Sequence, residues 1–145
     1  MTRIDTNKTI TNNSTRMGTN KEKKEIIHPE LSYQIMKILF TVHNRLGPDL
    51  QEKHYQRAIA FELEKQKITF EREKEIDIFY DGNNIGKYYL DFLIEGKIIL
   101  EIKAVKNLVA KFSRQVIEYL KSTPYKLAIV ANFGRQRLEY KRLVY

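Results

Sequence analysis

Asp91, Glu101 and Lys103 are the residues whose types and spacing could do chemistry: an aspartate, then a Glu-x-Lys ten residues on. Two carboxylates held close repel each other, and one pKa rises unless a cation neutralises the pair. Hard oxygen ligands of this kind suit Mg2+ or Mn2+. Lys103 stands about 6.5–7 Å along an extended chain from Glu101. That puts it in reach of a metal-bound water or a phosphate oxygen, but too far along to neutralise both acids alone.

What must position them is a β-hairpin. Two runs rich in β-branched, aromatic and leucine residues, Tyr88–Ile94 and Ile98–Lys103, flank Glu95-Gly96-Lys97. Alternation puts Tyr88, Leu90, Phe92 and Ile94 on one face of the first strand and Tyr89, Asp91 and Leu93 on the other. In the second, Ile98, Leu100, Ile102 and Ala104 oppose Ile99, Glu101 and Lys103. A one-residue slip exchanges the faces of a strand. A two-residue Glu95-Gly96 loop would set Asp91 opposite Leu100 and split the apolar face. Burial therefore predicts a three-residue loop, Glu95-Gly96-Lys97, or a bulge.

Asp91 followed by Glu101-Ile102-Lys103 resembles the PD-(D/E)XK nuclease signature, and the region from about Leu31 onward is similar to the GxxExxY family within that superfamily. The resemblance rests also on Arg45-Leu46-Gly47-Pro48-Asp49-Leu50-Gln51-Glu52-Lys53-His54-Tyr55, on Tyr89-Leu90-Asp91, on Gln115 with Tyr119-Leu120-Lys121, and on Asn132-Phe133-Gly134. It implies an α/β, restriction-endonuclease-like core in which a central mixed β-sheet is flanked by helices. It also implies Mg2+ (or Mn2+) held by Asp91, Glu101 and the Ile102 carbonyl, with Glu52 completing or tuning the site, Lys103 positioning the attacking water, and Gln115 supporting. Two departures stand out. Asp49 occupies the glycine of GxxExxY, and Phe112-Ser113 replaces a His-Glu pair that relatives often carry before the glutamine.

Helical spacing runs from Pro29 or Glu30 through Leu31, Ile35, Ile38, Leu39, Val42 and Leu46, and Gly47-Pro48 ends it. Asp49 can cap a second helix from about Leu50 to Gln66, with Glu52 and Tyr55 opening its inward stripe. A glutamate in a first helical turn is favoured by the dipole whatever its function. An edge segment at Ile68–Phe70 and a strand at Glu75–Tyr80 lead to an Asp81-Gly82-Asn83-Asn84 turn and the second strand, giving an antiparallel meander. A helix over Val109–Ser122 buries Val109, Phe112, Val116, Ile117 and Leu120. An apolar strand at Tyr125–Ala131 then pairs parallel with the third, and Leu138–Tyr145 returns as an edge.

The chain of 145 residues carries 26 Lys and Arg against 18 Asp and Glu, a net charge of +8, with 42% apolar content. That is one domain with a real core, expected over 26–145 behind a flexible basic tail at 1–25. The charge suits a polyanion. It also suits simple solubility, so charge alone does not choose. No cysteine excludes disulfides and thiolate metal sites. No apolar run reaches the roughly 18 residues of a membrane span and no signal-peptide core is present, so a soluble, cytoplasmic protein is expected. His28, His43 and His54 form no zinc-ligand pair, and G-x-S-x-G, P-loop and dinucleotide motifs are absent.

The expectation is a metal-dependent nuclease hydrolysing phosphodiester bonds of nucleic acid, DNA in the first place, as a homodimer where both strands are cut. The alternative is a catalytically inactive module of the same fold that binds nucleic acid or a protein partner. Arg135, Arg137, Lys141 and Arg142 could line a phosphate rim, although charges at a sheet edge also serve to block aggregation.

Overall fold

A computed structural model describes residues 3–5 and 27–145. The elements, in chain order, are β1 (Arg3–Asp5), α1 (Pro29–Leu46), α2 (Glu52–Lys65), β2 (Phe70–Tyr80), β3 (Asn83–Ile94), β4 (Ile98–Lys103), α3 (Ala110–Lys121), β5 (Leu127–Asn132) and β6 (Glu139–Val144). They build one six-stranded sheet in the order β1-β6-β5-β4-β3-β2. Among the described residues only β4 and β5 pair in parallel, across α3, so the sheet is mixed. The expected α/β, restriction-endonuclease-like architecture is the one observed.

Residues 1–25, read from sequence as a tail, lie outside the described residues except for Arg3–Asp5, whose backbone pairs antiparallel with β6. No helix among the described residues is long and apolar enough to cross a membrane.

Two apolar layers cover the sheet. Ile35, Ile38, Leu39 and Val42 of α1 and Tyr55, Ile59 and Leu63 of α2 join Phe92, Ile94, Ile98, Leu100 and Ile102 in one cluster. Val116, Ile117, Tyr119 and Leu120 of α3 join Leu93, Ile99, Ala128 and Val130 in the other. Burying both faces explains why β5 reads as an unbroken apolar run.

The hairpin has the expected parity. Phe92 faces Leu100, Leu93 faces Ile99 and Ile94 faces Ile98, closing over Glu95-Gly96-Lys97. Glu95 and Gly96 take φ of 49° and 62°, and Lys97 N–H donates to Ile94 O. Beyond Phe92 the two strands part. Among the described residues, 83–91 pair with β2 alone, and β4 continues from Glu101 to Lys103 beside β5 alone.

One expectation about faces is corrected here. Leu90 and Tyr88 belong to the α3 layer, not to the layer of Phe92 and Ile94. Glu73 lies in the left-handed region at φ 50°, and the ladder between Arg72–Phe92 and Lys74–Leu90 skips the Glu73–Asp91 step. A left-handed residue within a strand turns over the residues after it, and the ribbon changes faces there. β2 is also continuous from Phe70, bridging the charged stretch that divides it in sequence; as the outer edge strand it leaves those charges in solvent.

Both later helices start slightly differently from expectation. α2 is capped at Gln51, not Asp49, with Gln51 N–H donating to His54 Nδ1 at 3.2 Å. Tyr55 makes the difference: its hydroxyl donates to Gly47 O and accepts Leu50 N–H at 3.1 Å, holding 47–50 as a loop. In α3, Val109 is the cap residue and 47% exposed, whereas Ser113 and Tyr119 are buried.

Candidate active site

The site lies in the fork where β3 and β4 separate. With no backbone ladder left between them, side chains take its place: Asp91 N–H donates to Glu101 Oε1 at 3.1 Å, and Ile102 N–H donates to Asp91 Oδ2 at 2.8 Å. The two carboxyl groups therefore point to the same side, and each feels the other's charge. Glu101 is 5% exposed.

Burial and mutual repulsion set the charge state. Desolvation and the neighbouring Asp91 push the Glu101 carboxyl up to about 9. Asp91 is also raised by desolvation, against opposing pulls from the Ile102 N–H, Glu101, Lys103 and Arg72. At neutral pH the pair thus holds a proton.

Glu52, the first residue of α2, is raised by partial burial and by Asp91 and lowered by Lys103, so it stands in the same electrostatic neighbourhood. Gln56 Nε2, one turn on, donates to Glu52 Oε1 at 3.3 Å, and Arg72 Nη2 donates to Gln56 Oε1 at 3.3 Å. The Arg72 guanidinium also lies 5.4 Å from the centre of the Phe92 ring. A chain of contacts from β2 thus tethers Glu52. Arg72 and Gln56 were not singled out in sequence; the only signal was the i, i+4 spacing of Gln56 from Glu52.

Lys103, at the end of β4, places its ammonium 4.5 Å from the centre of the Phe112 ring, a cation–π contact. Its carbonyl accepts the Phe133 N–H at 2.8 Å. The buried Asn132 holds the next residue but one from both sides, accepting Val105 N–H and donating to Val105 O, each at 2.9 Å. Gly134 is required at this closure: a Cβ there would lie 2.3 Å from Val105 O. Asn132-Phe133-Gly134 is therefore the brace that fixes the end of β4.

Gln115 is exposed on α3, between Phe112 and Tyr119 at helical spacing, and makes no hydrogen bond to the acids among the described residues. Tyr119 is the member of that stripe that faces inward. Its hydroxyl is pushed up to about 12 by burial and by Glu101, Tyr88 and Asp91, and its ring centre lies 4.4 Å from that of Tyr88.

The donors in the fork are hard oxygens, and the proton held by the half-buried Asp91 and buried Glu101 occupies ground that a divalent cation would claim. The donor set fits Mg2+ or Mn2+ in that respect. Among the described residues, however, no three His, Asp or Glu side chains stand close enough to enclose an ion. Glu52 flanks the pair without being drawn into it.

No curated protein and no solved structure matches this chain. The family model of the PD-(D/E)XK nuclease superfamily matches residues 29–143, from the first residue of α1 to within β6. With that span covering both strands of the fork and every helix, the chain belongs to the PD-(D/E)XK nuclease superfamily.

Proposed function

We propose that the protein is a divalent-metal-dependent nuclease hydrolysing phosphodiester bonds of nucleic acid, DNA in the first place. The observation that carries this reading is the reciprocal pairing of Asp91 and Glu101 across the parted strands, with the Lys103 charge coupled to both. Asp91, Glu101 and the Ile102 carbonyl would hold Mg2+ or Mn2+, with Glu52 tuning the charge. Once bound, the ion would supply a water of lowered pKa and charge stabilisation at the phosphate.

The residues have separable tasks. Asp91 and Glu101 would release the proton they hold to solvent and become a dianionic seat. Lys103, directed by its braced backbone, holds the attacking water or a phosphate oxygen by its ammonium. Water adds to phosphorus and loses a proton to solvent, the bond to the leaving oxygen breaks, and that oxygen takes a proton from solvent. Gln115 can donate its amide to the phosphate from the solvent side. The GxxExxY grouping, a domain spanning 26–145, a cytoplasmic location and a homodimer for two-strand cleavage belong to the same proposal.

Supercoiled plasmid DNA with Mg2+ or Mn2+ provides the test: wild type nicks it, and Asp91→Ala or Lys103→Ala does not. Nicking that survives both substitutions places the activity elsewhere.

A second reading has its own support. Lys103 rests on Phe112, where the resembled family often has a His-Glu pair, and among the described residues no third acid closes the site. A catalytically inactive module binding nucleic acid or a protein partner would show salt-sensitive binding with no divalent-dependent cleavage.

A further inference from the structure

We infer that the cleft beside the fork is a subsite for the phosphodiester backbone of nucleic acid, which seats the strand flanking the bond at the Asp91–Glu101 pair. This deepens the nuclease reading and rests on it for the position of that bond. The cleft has a volume of 670 Å3, and its walls include Asp49, Lys106, Arg135, Gln136, Arg137 and Glu139.

Most of its lining is the loop 134–139, and the rest comes from the two segments that lead to the site. Asp49 lies three residues before Glu52, and Lys106 three residues after Lys103, at most about 11 Å of chain in either case. A strand lying across the fork would enter this cleft within a nucleotide or two.

The charges are arranged for an anion. Glu139 is already committed, accepting Asn132 Nδ2 at 3.0 Å and pairing with Arg135 at 3.7 Å. Among the described residues Lys106 and Arg137 have no ion-pair partner, and both are exposed. Three cations against two acids leave the cleft positive, with Asp49 as the uncommitted negative group of its lining.

The frame is rigid for a surface loop. Gly134 is locked on Val105, Asn132 bridges Val105 and Glu139, and His43 Nε2 lies 2.8 Å from Arg135 O. Cations displayed from a pinned loop lose little freedom when a phosphate binds. Asp49 then acquires a meaning: standing where the resembled family has glycine, it weakens the subsite.

The experiment uses the full chain in EDTA, so that binding is read without cleavage. Fluorescence anisotropy follows a labelled 20-base-pair DNA duplex, and in a second arm an RNA duplex of the same sequence, over a salt series. Lys106→Ala/Arg137→Ala should bind at least roughly tenfold more weakly on one arm or both, with a salt slope lower by about 2. Asp49→Asn should bind more tightly, and Lys37→Ala/Lys65→Ala, which removes two exposed cations of α1 and α2, should bind as wild type does.

A double variant with wild-type affinity and slope on both arms overturns the subsite, as does a wild-type chain that binds neither duplex. An equal loss in Lys37→Ala/Lys65→Ala also overturns it, since binding would then follow total charge. Thermal melts of the variants exclude unfolding. Failure of the nuclease reading appears separately, as absent nicking by a chain whose cleft still binds.

Discussion

Asp91 and Glu101 each complete the other strand's backbone: the Asp91 N–H is satisfied by Glu101 at 3.1 Å, and the Ile102 N–H, next to Glu101, by Asp91 at 2.8 Å. The acids proposed for chemistry are therefore also the fasteners of the fork. Asp91→Ala should abolish nicking and also leave the Ile102 N–H without its partner, costing about 1–3 kcal/mol of stability. Asp91→Asn keeps an acceptor oxygen, so it should lose activity with a smaller fall in denaturation midpoint. Plasmid nicking beside urea melts reads both, and an Asp91→Ala protein as stable as wild type would show that the cross-strand bond carries nothing.

The protonation of Glu101 predicts how metal-free stability depends on pH. Its folded pKa, up at about 9, exceeds the ordinary value of 4.5, so between these the folded chain binds more protons than the unfolded one. Stability from this group is thus complete below the unfolded pKa and is lost as pH rises toward 9. Urea midpoints in EDTA should fall over that window. Glu101→Gln, which needs no proton to be neutral, should flatten the fall and add about 1 kcal/mol at pH 8 while eliminating activity. A wild-type midpoint that rises with pH would contradict the assignment.

Gly134→Ala tests the brace behind Lys103. The added methyl carbon would meet three backbone atoms of Val105 within 2.8 Å, and backbone cannot step aside as a flexible side chain can. A loss of about 1–3 kcal/mol is expected, accompanied by reduced nicking because the end of β4 must shift. A variant that melts and cuts like wild type would mean the two loops are not held together.

Tyr55→Phe removes the hydroxyl that links Gly47 O with Leu50 N–H but keeps the ring stacked on Phe133, whose centre is 4.6 Å away. About 1–2 kcal/mol of destabilisation should result. Loosening the loop ahead of Glu52 should also lower the nicking rate more than the melt alone explains. Comparing rates at a temperature where both proteins are fully folded separates the effects.

Much of the fork was readable in the sequence because burial and parity are strict rules. Once Phe92, Ile94, Leu100 and Ile102 had to share a face, the loop of three and the common side for Asp91 and Glu101 were fixed with it. Local rules failed where tertiary contacts intervened. Asp49 has the chemistry of a cap, yet the Tyr55 hydroxyl holds its loop open and passes the cap to Gln51. Leu90 obeys alternation in sequence, but the left-handed Glu73 on the neighbouring strand turns the ribbon. Arg72 and Gln56 escaped notice because their connection to Glu52 spans two elements and no spacing encodes it.

The overhang of β3 past β4 bears on motion. Among the described residues the ribbon from Ile78 to Gly86 has only its own partner strand, with Phe79, Tyr80 and Ile85 more than 60% exposed, so a single ladder resists its opening. Amide protons there should exchange long before those of Phe92–Ile94, with the step in protection falling near Asp91. The molecule is thus stiff on one side of its acids and pliable on the other, like a hinge with the chemistry set at its pin.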